Sequence, residues 1–90
     1  SRRGYNPIMP TVTVRFSARY AELAGRDSIA LAVPAAATVG DVLARVRQEI
    51  PEAGAFPDRP LTALNLRQVK LDAQVKEGDE VALLPPLAGG

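Results

Sequence analysis

Residues Thr38 to Ile50 constrain the chain more than any other segment. Val39, Val42, Leu43, Val46 and Ile50 recur at i, i+3, i+4, i+7 and i+11, the stripe of an α-helix with one buried face. Arg45, Arg47, Gln48 and Glu49 fall on the opposite side. Thr38 is placed to cap the helix, Asp41 three residues on completes a capping box, and Pro51 stops it. Asp41 also stands four residues ahead of Arg45, which predicts a surface ion pair worth roughly a few tenths of a kcal/mol. A single long helix must therefore be accommodated by whatever surrounds it.

What surrounds it alternates. Val12, Val14 and Phe16 against Thr11, Thr13 and Arg15 describe a half-buried strand. Ile29, Leu31 and Val33 against Ser28, Ala30 and Ala32 describe a second, ended by Pro34. Between them, Tyr20, Leu23 and Ala24 sit at helical spacing in a short turn of helix over 18–24, and Gly25-Arg26-Asp27 turns the chain. After the long helix, 51–60 holds three prolines and one glycine and reads as a loop. Residues 61–66 and 68–71 form a hairpin turning near Leu66-Arg67-Gln68, followed by a connector over 72–76. Lys76-Glu77-Gly78-Asp79 is a turn with Gly at the position needing positive φ. Residues 80–84, nearly continuous in apolar character, are the final strand and belong in the middle of a sheet.

The order is strand, strand, helix, strand, strand, strand. One helix across one face of a mixed sheet of about five strands satisfies it. The first and last strands then lie side by side and parallel, with the helix in a right-handed crossover. That is an α+β fold of the ubiquitin-like β-grasp type. The expected organisation is a domain over 9–84 with a flexible tail over 85–90. Residues 1–8, polar and ahead of Met9, are expected to be a disordered extension or an expression remnant.

Composition removes several classes of chemistry. There is no cysteine and no histidine, so thiolate metal sites, disulfides, Cys nucleophiles and the commonest general base are excluded. Residues 9–90 carry nine Lys and Arg against ten Asp and Glu, which is no footprint for nucleic acid. No apolar run nears the ~20 residues of a membrane span, and no signal peptide is apparent. The expectation is a soluble cytoplasmic protein with neither a nucleic-acid nor a membrane partner, and with no bound cofactor or metal. Asp79 and Glu80 are adjacent in an extended segment and point to opposite faces, so they make no acid pair.

The functional signal lies at the end. The final strand runs into Leu84-Pro85-Pro86-Leu87-Ala88-Gly89-Gly90. Glycine lacks a Cβ, so Gly89 and Gly90 can pass through a slot too narrow for other residues. Pro85 and Pro86 either just stop the strand or also stiffen the base of a stalk. Leu84 and Leu87 offer apolar contacts beside it, with Ala88 between stalk and terminus. A hydrophobic patch is expected where the last strand leaves the domain, rimmed by Arg15, Arg67 and Lys70.

The chain resembles the MoaD/ThiS family of ubiquitin-like sulfur carriers, and within it the MoaD branch. The carrying residues are Val14-Arg15-Phe16-Ser17-Ala18-Arg19-Tyr20-Ala21-Glu22-Leu23-Ala24-Gly25, then Thr38-Val39-Gly40-Asp41-Val42-Leu43, then Lys76-Glu77-Gly78-Asp79-Glu80-Val81 and the run to Gly90. The family often has Val-Asn-Gly at the hairpin, where this chain has Leu64-Asn65-Leu66. The resemblance implies that the Gly90 carboxylate is adenylated by a ubiquitin-activating type of enzyme using ATP. A sulfur donor then converts it to a thiocarboxylate. In the MoaD branch that sulfur goes to a pterin precursor of molybdopterin, inside a large synthase subunit that supplies the catalytic Lys and Arg. Carriers for thiazole, cysteine or tRNA thiolation share the fold and the Gly-Gly end, as do ubiquitin-like protein modifiers. A β-grasp binding module with no covalent role is the remaining alternative.

Overall fold

The computed structural model describes residues 9–85. The elements are β1 (Thr11–Phe16), α1 (Ala18–Ala24), β2 (Ser28–Ala32), α2 (Val39–Glu49), a 3-10 turn (Pro51–Ala55), β3 (Leu61–Leu64), β4 (Arg67–Val69) and β5 (Glu80–Leu84). The five strands form one sheet in the order β2-β1-β5-β3-β4. β1 and β5 are parallel neighbours at its centre; every other pairing is antiparallel. This is the expected ubiquitin-like β-grasp, with the last strand in the middle.

Period-two patterning fixes the faces. Val12, Val14 and Phe16 of β1 and Val81 and Leu83 of β5 are buried with Val39, Val42, Leu43 and Val46 of α2. Tyr20, Leu31, Val33, Ala37, Ile50, Ala53, Phe56 and Val75 complete the core. With aromatics at 4% of the chain, branched aliphatics carry most of this interior. All five residues of the helical stripe are buried. The capping box forms as anticipated: the Asp41 amide donates to Thr38 Oγ1 at 3.2 Å and the Thr38 amide donates to Asp41 Oδ2 at 2.9 Å. The next two amides of α2 are met by the connector after β4, Val39 donating to the Ala73 carbonyl and Gly40 to the Leu71 carbonyl, each at 2.8 Å.

Three local expectations change. Arg45 pairs with Glu49, not Asp41, because the Asp41 carboxylate is taken by the cap. Residues 51–55, read as loop, wind into the 3-10 turn that carries Ala53 into the core. The β3–β4 hairpin turns earlier than its apolar pattern suggested. Leu64 pairs with Arg67, leaving Asn65 and Leu66 at φ 51° and 74°. Two consecutive positive φ angles make a type I′ turn, whose twist matches that of the strands.

Asn65 suits its position and is tied down. Its amide group donates to Asp79 Oδ1 and its side-chain oxygen accepts from the Glu80 amide, both at 2.9 Å. Leu66 does not suit its position: it is 91% exposed and occupies a conformation that costs a β-carbon-bearing residue about 1 kcal/mol. Leu66→Gly is therefore expected to stabilise the domain by about 0.5–1 kcal/mol in urea unfolding. A loss of stability of that size would place the turn elsewhere.

Candidate functional site at the end of the central strand

The site is built where β5 ends. Its last core residue, Leu83, pairs with Phe16 on one side and Thr62 on the other. Its carbonyl accepts a hydrogen bond from Ser17 Oγ at 2.9 Å. Leu84 pairs with Leu61 on the face turned away from α2 and is half-buried. Pro85 follows, exposed. A backbone hydrogen-bonded on both sides is the least compliant part of a sheet, so the end of β5 is fixed by both neighbours.

Three other segments meet at this end. α1 begins directly after β1, and Tyr20 on it stacks against Phe56 at a centroid distance of 4.8 Å. The Tyr20 hydroxyl is buried without a hydrogen-bond partner among the described residues. The 57–60 loop delivers Arg59 two residues before Leu61. Arg59, Lys70, Leu71 and Asp72 line an open recess there. The sequence reading passed over Arg59; its signal was position, since it sits between Pro57 and Pro60 immediately ahead of the strand paired with β5.

The sequence-predicted residues do not gather at one place. Lys70 follows Val69, whose partner Thr62 is itself paired with Leu83, so Lys70 stands at the tail end of the sheet. Arg15 is in mid-sheet, beside Ala82 and Ser28, with its guanidinium on Glu80. Both partners of that pair are substantially solvated, so it contributes at most about 1 kcal/mol. Arg67 lies opposite Leu64, which pairs with Val81 near the start of β5, at the far end from Leu84. Pro86, Leu87, Ala88, Gly89 and Gly90 lie outside the described residues.

No group of three or more acidic side chains that could hold a metal occurs among the described residues. No helix there is long and apolar enough to cross a membrane. Asp79 is occupied structurally: it accepts from Asn65 and from the Lys76 amide, while Glu80 faces Arg15. Among the described residues, Asp79 and Glu80 are thus both engaged in contacts that hold the fold together.

Known proteins share this arrangement. The chain is similar to SAMP1 from Haloferax volcanii, with 30% identity, a TM-score of 0.76, and coverage of 89% of this chain and 99% of that one. It is similar to a putative molybdopterin converting factor subunit 1 from Pyrococcus furiosus, at 28% identity and TM-score 0.75, covering 87% and 99%. It also matches a complex of subunits 1 and 2 of molybdopterin-converting factor from Helicobacter pylori, at 26% identity and TM-score 0.63, covering 89% and 99%. The model of the ThiS family matches residues 14–90, from within β1 to Gly90. The chain belongs to the ThiS family and has its ubiquitin-like sulfur-carrier fold.

Proposed function

We propose that this protein is the sulfur-carrying small subunit of a molybdopterin synthase. The observation that carries the reading is the family match running unbroken through the central strand to Gly90. The similarity to a subunit 1 that is found in complex with a subunit 2 supports a large-subunit partner. In the first step the Gly90 carboxylate attacks the α-phosphorus of ATP on an activating enzyme of the ubiquitin-activating type, releasing pyrophosphate. The acyl-adenylate then has a good leaving group, which a carboxylate lacks. A sulfide-equivalent donor attacks the acyl carbon, AMP departs, and a C-terminal thiocarboxylate remains. Its sulfur is the nucleophile delivered to a pterin precursor in the large subunit.

The domain's part is presentation. β5 holds the tail base, Pro85 and Pro86 limit the freedom lost when the tail is threaded into a partner, and Gly89 and Gly90 let it reach a narrow site. Leu84, Leu87 and Ala88 supply apolar contact, and Arg15 and Lys70 polar contact around it; Arg67 would touch a partner only at the other end of the sheet.

The similarity to SAMP1, a small archaeal modifier protein, favours a second reading in which the same adenylate is captured by a protein amine. Incubation with ATP, sulfide and a candidate activating enzyme, followed by intact-mass measurement, separates them. The carrier reading expects the increment of one oxygen-to-sulfur exchange at the C-terminus, and restoration of molybdopterin synthesis in a deficient strain. An unchanged mass with activating enzymes that are competent on other carriers overturns it. Isopeptide-linked conjugates recovered without any thiocarboxylate select the modifier.

A further inference from the structure

The two edges of the sheet are treated differently. β4 is three residues long and carries Arg67 and Gln68 exposed, features that discourage pairing with another chain. β2 is five residues long, Ser28-Ile29-Ala30-Leu31-Ala32, with no charge, proline or bulge. Among the described residues, no strand pairs with its outer side. The Phe16 amide donates to the Asp27 carbonyl and the Val33 amide to the Pro10 carbonyl. In an antiparallel ladder this parity directs the amides and carbonyls of Asp27, Ile29, Leu31 and Val33 toward β1. Those of Ser28, Ala30 and Ala32 point outward, and none has a partner among the described residues.

We propose that β2 pairs antiparallel with β2 of a second copy about a two-fold axis at Ala30, giving a continuous ten-stranded sheet. The segment complements itself in this register. Ala30 meets Ala30, and Ser28 meets Ala32 twice, so each of the three outward residues finds both a donor and an acceptor and six hydrogen bonds form. On the core side Ile29 meets Leu31. On the open side only small residues oppose one another. The nearest charges, Arg26 and Asp27, fall beside Pro34 and Val33 of the other copy, so no like charges meet. A general peptide would satisfy the backbone but not this matching of side chains, which is why a second copy is the occupant. Five residues a side bury less than the roughly 1,200–2,000 Å² of stable complexes, so the association is weak and reversible. The axis is perpendicular to the sheet, so the two β5 strands point in opposite directions and neither tail base is covered.

The test uses the full chain in a concentration series up to millimolar, read by sedimentation and by amide hydrogen exchange. A monomer–dimer equilibrium is expected, with the Ser28, Ala30 and Ala32 amides gaining protection as concentration rises. A30K and A30E each place like charges across the axis and are expected to weaken dimerisation at least about tenfold. An equimolar mixture of the two restores it, which also shows both variants are folded. A chain monomeric at millimolar concentration overturns the proposal, as does A30K dimerising like the parent. Ala30 protection that is independent of concentration overturns it too, since residues 1–8 of the same chain would then cover the edge.

Discussion

An alanine appended after Gly90 is expected to lower thiocarboxylate formation by on the order of 10²-fold or more, while the urea unfolding curve stays superimposable on that of the parent. In the proposed mechanism the reacting group is the Gly90 carboxylate. Gly90 lies six residues beyond Leu84, where β5 ends. One extra residue moves the terminal carboxylate outward by up to about 3.5 Å and places a Cβ beside it. A site that aligns the carboxylate with the α-phosphorus of ATP tolerates neither change, because misplacement of about 1 Å already costs that much. Stability does not follow, because the core and its hydrogen bonds end at β5. Intact mass after the ATP-and-sulfide reaction, with unfolding measured on the same sample, gives both numbers. Full conversion of an uncleaved extended chain would remove the terminus from the mechanism and leave a binding module.

The legible parts of the fold were those in which one physical signal dominates. The α2 stripe, its Thr38–Asp41 cap and the Pro51 stop act locally and agree with one another. The nearly continuous apolar character of residues 80–84 points to the central place the strand takes, although only Val81 and Leu83 are buried and Glu80, Ala82 and Leu84 are half-buried on the open face. The hairpin was harder, because Leu61 to Leu71 is apolar enough to pair in several registers. What decides the register is the Asn65 side chain bridging to Asp79 and Glu80, a contact across fourteen residues that no local pattern displays. Leu66, an apolar residue at positive φ, argues against a turn by every local rule. The rim failed for a similar reason. Arg15, Arg67 and Lys70 were grouped by charge, and only strand order and register show that Arg67 and Lys70 sit at opposite ends of β5.

Leu83→Ala is expected to cost about 3 kcal/mol, within the range of 2–5 for truncating a buried leucine, whereas Leu84→Ala costs less than about 1. The two residues are neighbours of identical chemistry, so the difference isolates burial. Leu83 is fully buried at the tail end of the central strand, between Phe16 and Thr62. Leu84 is half-buried on the open face opposite Leu61. A domain of this size has roughly 5–15 kcal/mol in all, so losing Leu83 removes a large fraction of it. The midpoint of the urea transition should fall with little change in slope, since both variants expose nearly the same surface on unfolding. Activity should part in the opposite sense. Molecules of Leu83→Ala that remain folded keep their apolar surface at the tail base and should react nearly as the parent does, whereas Leu84→Ala removes contact area beside the tail and should weaken partner binding with stability almost intact. Equal destabilisation by the two substitutions would mean that the strand does not hold the tail through the core, and the presentation mechanism would then lack its anchor.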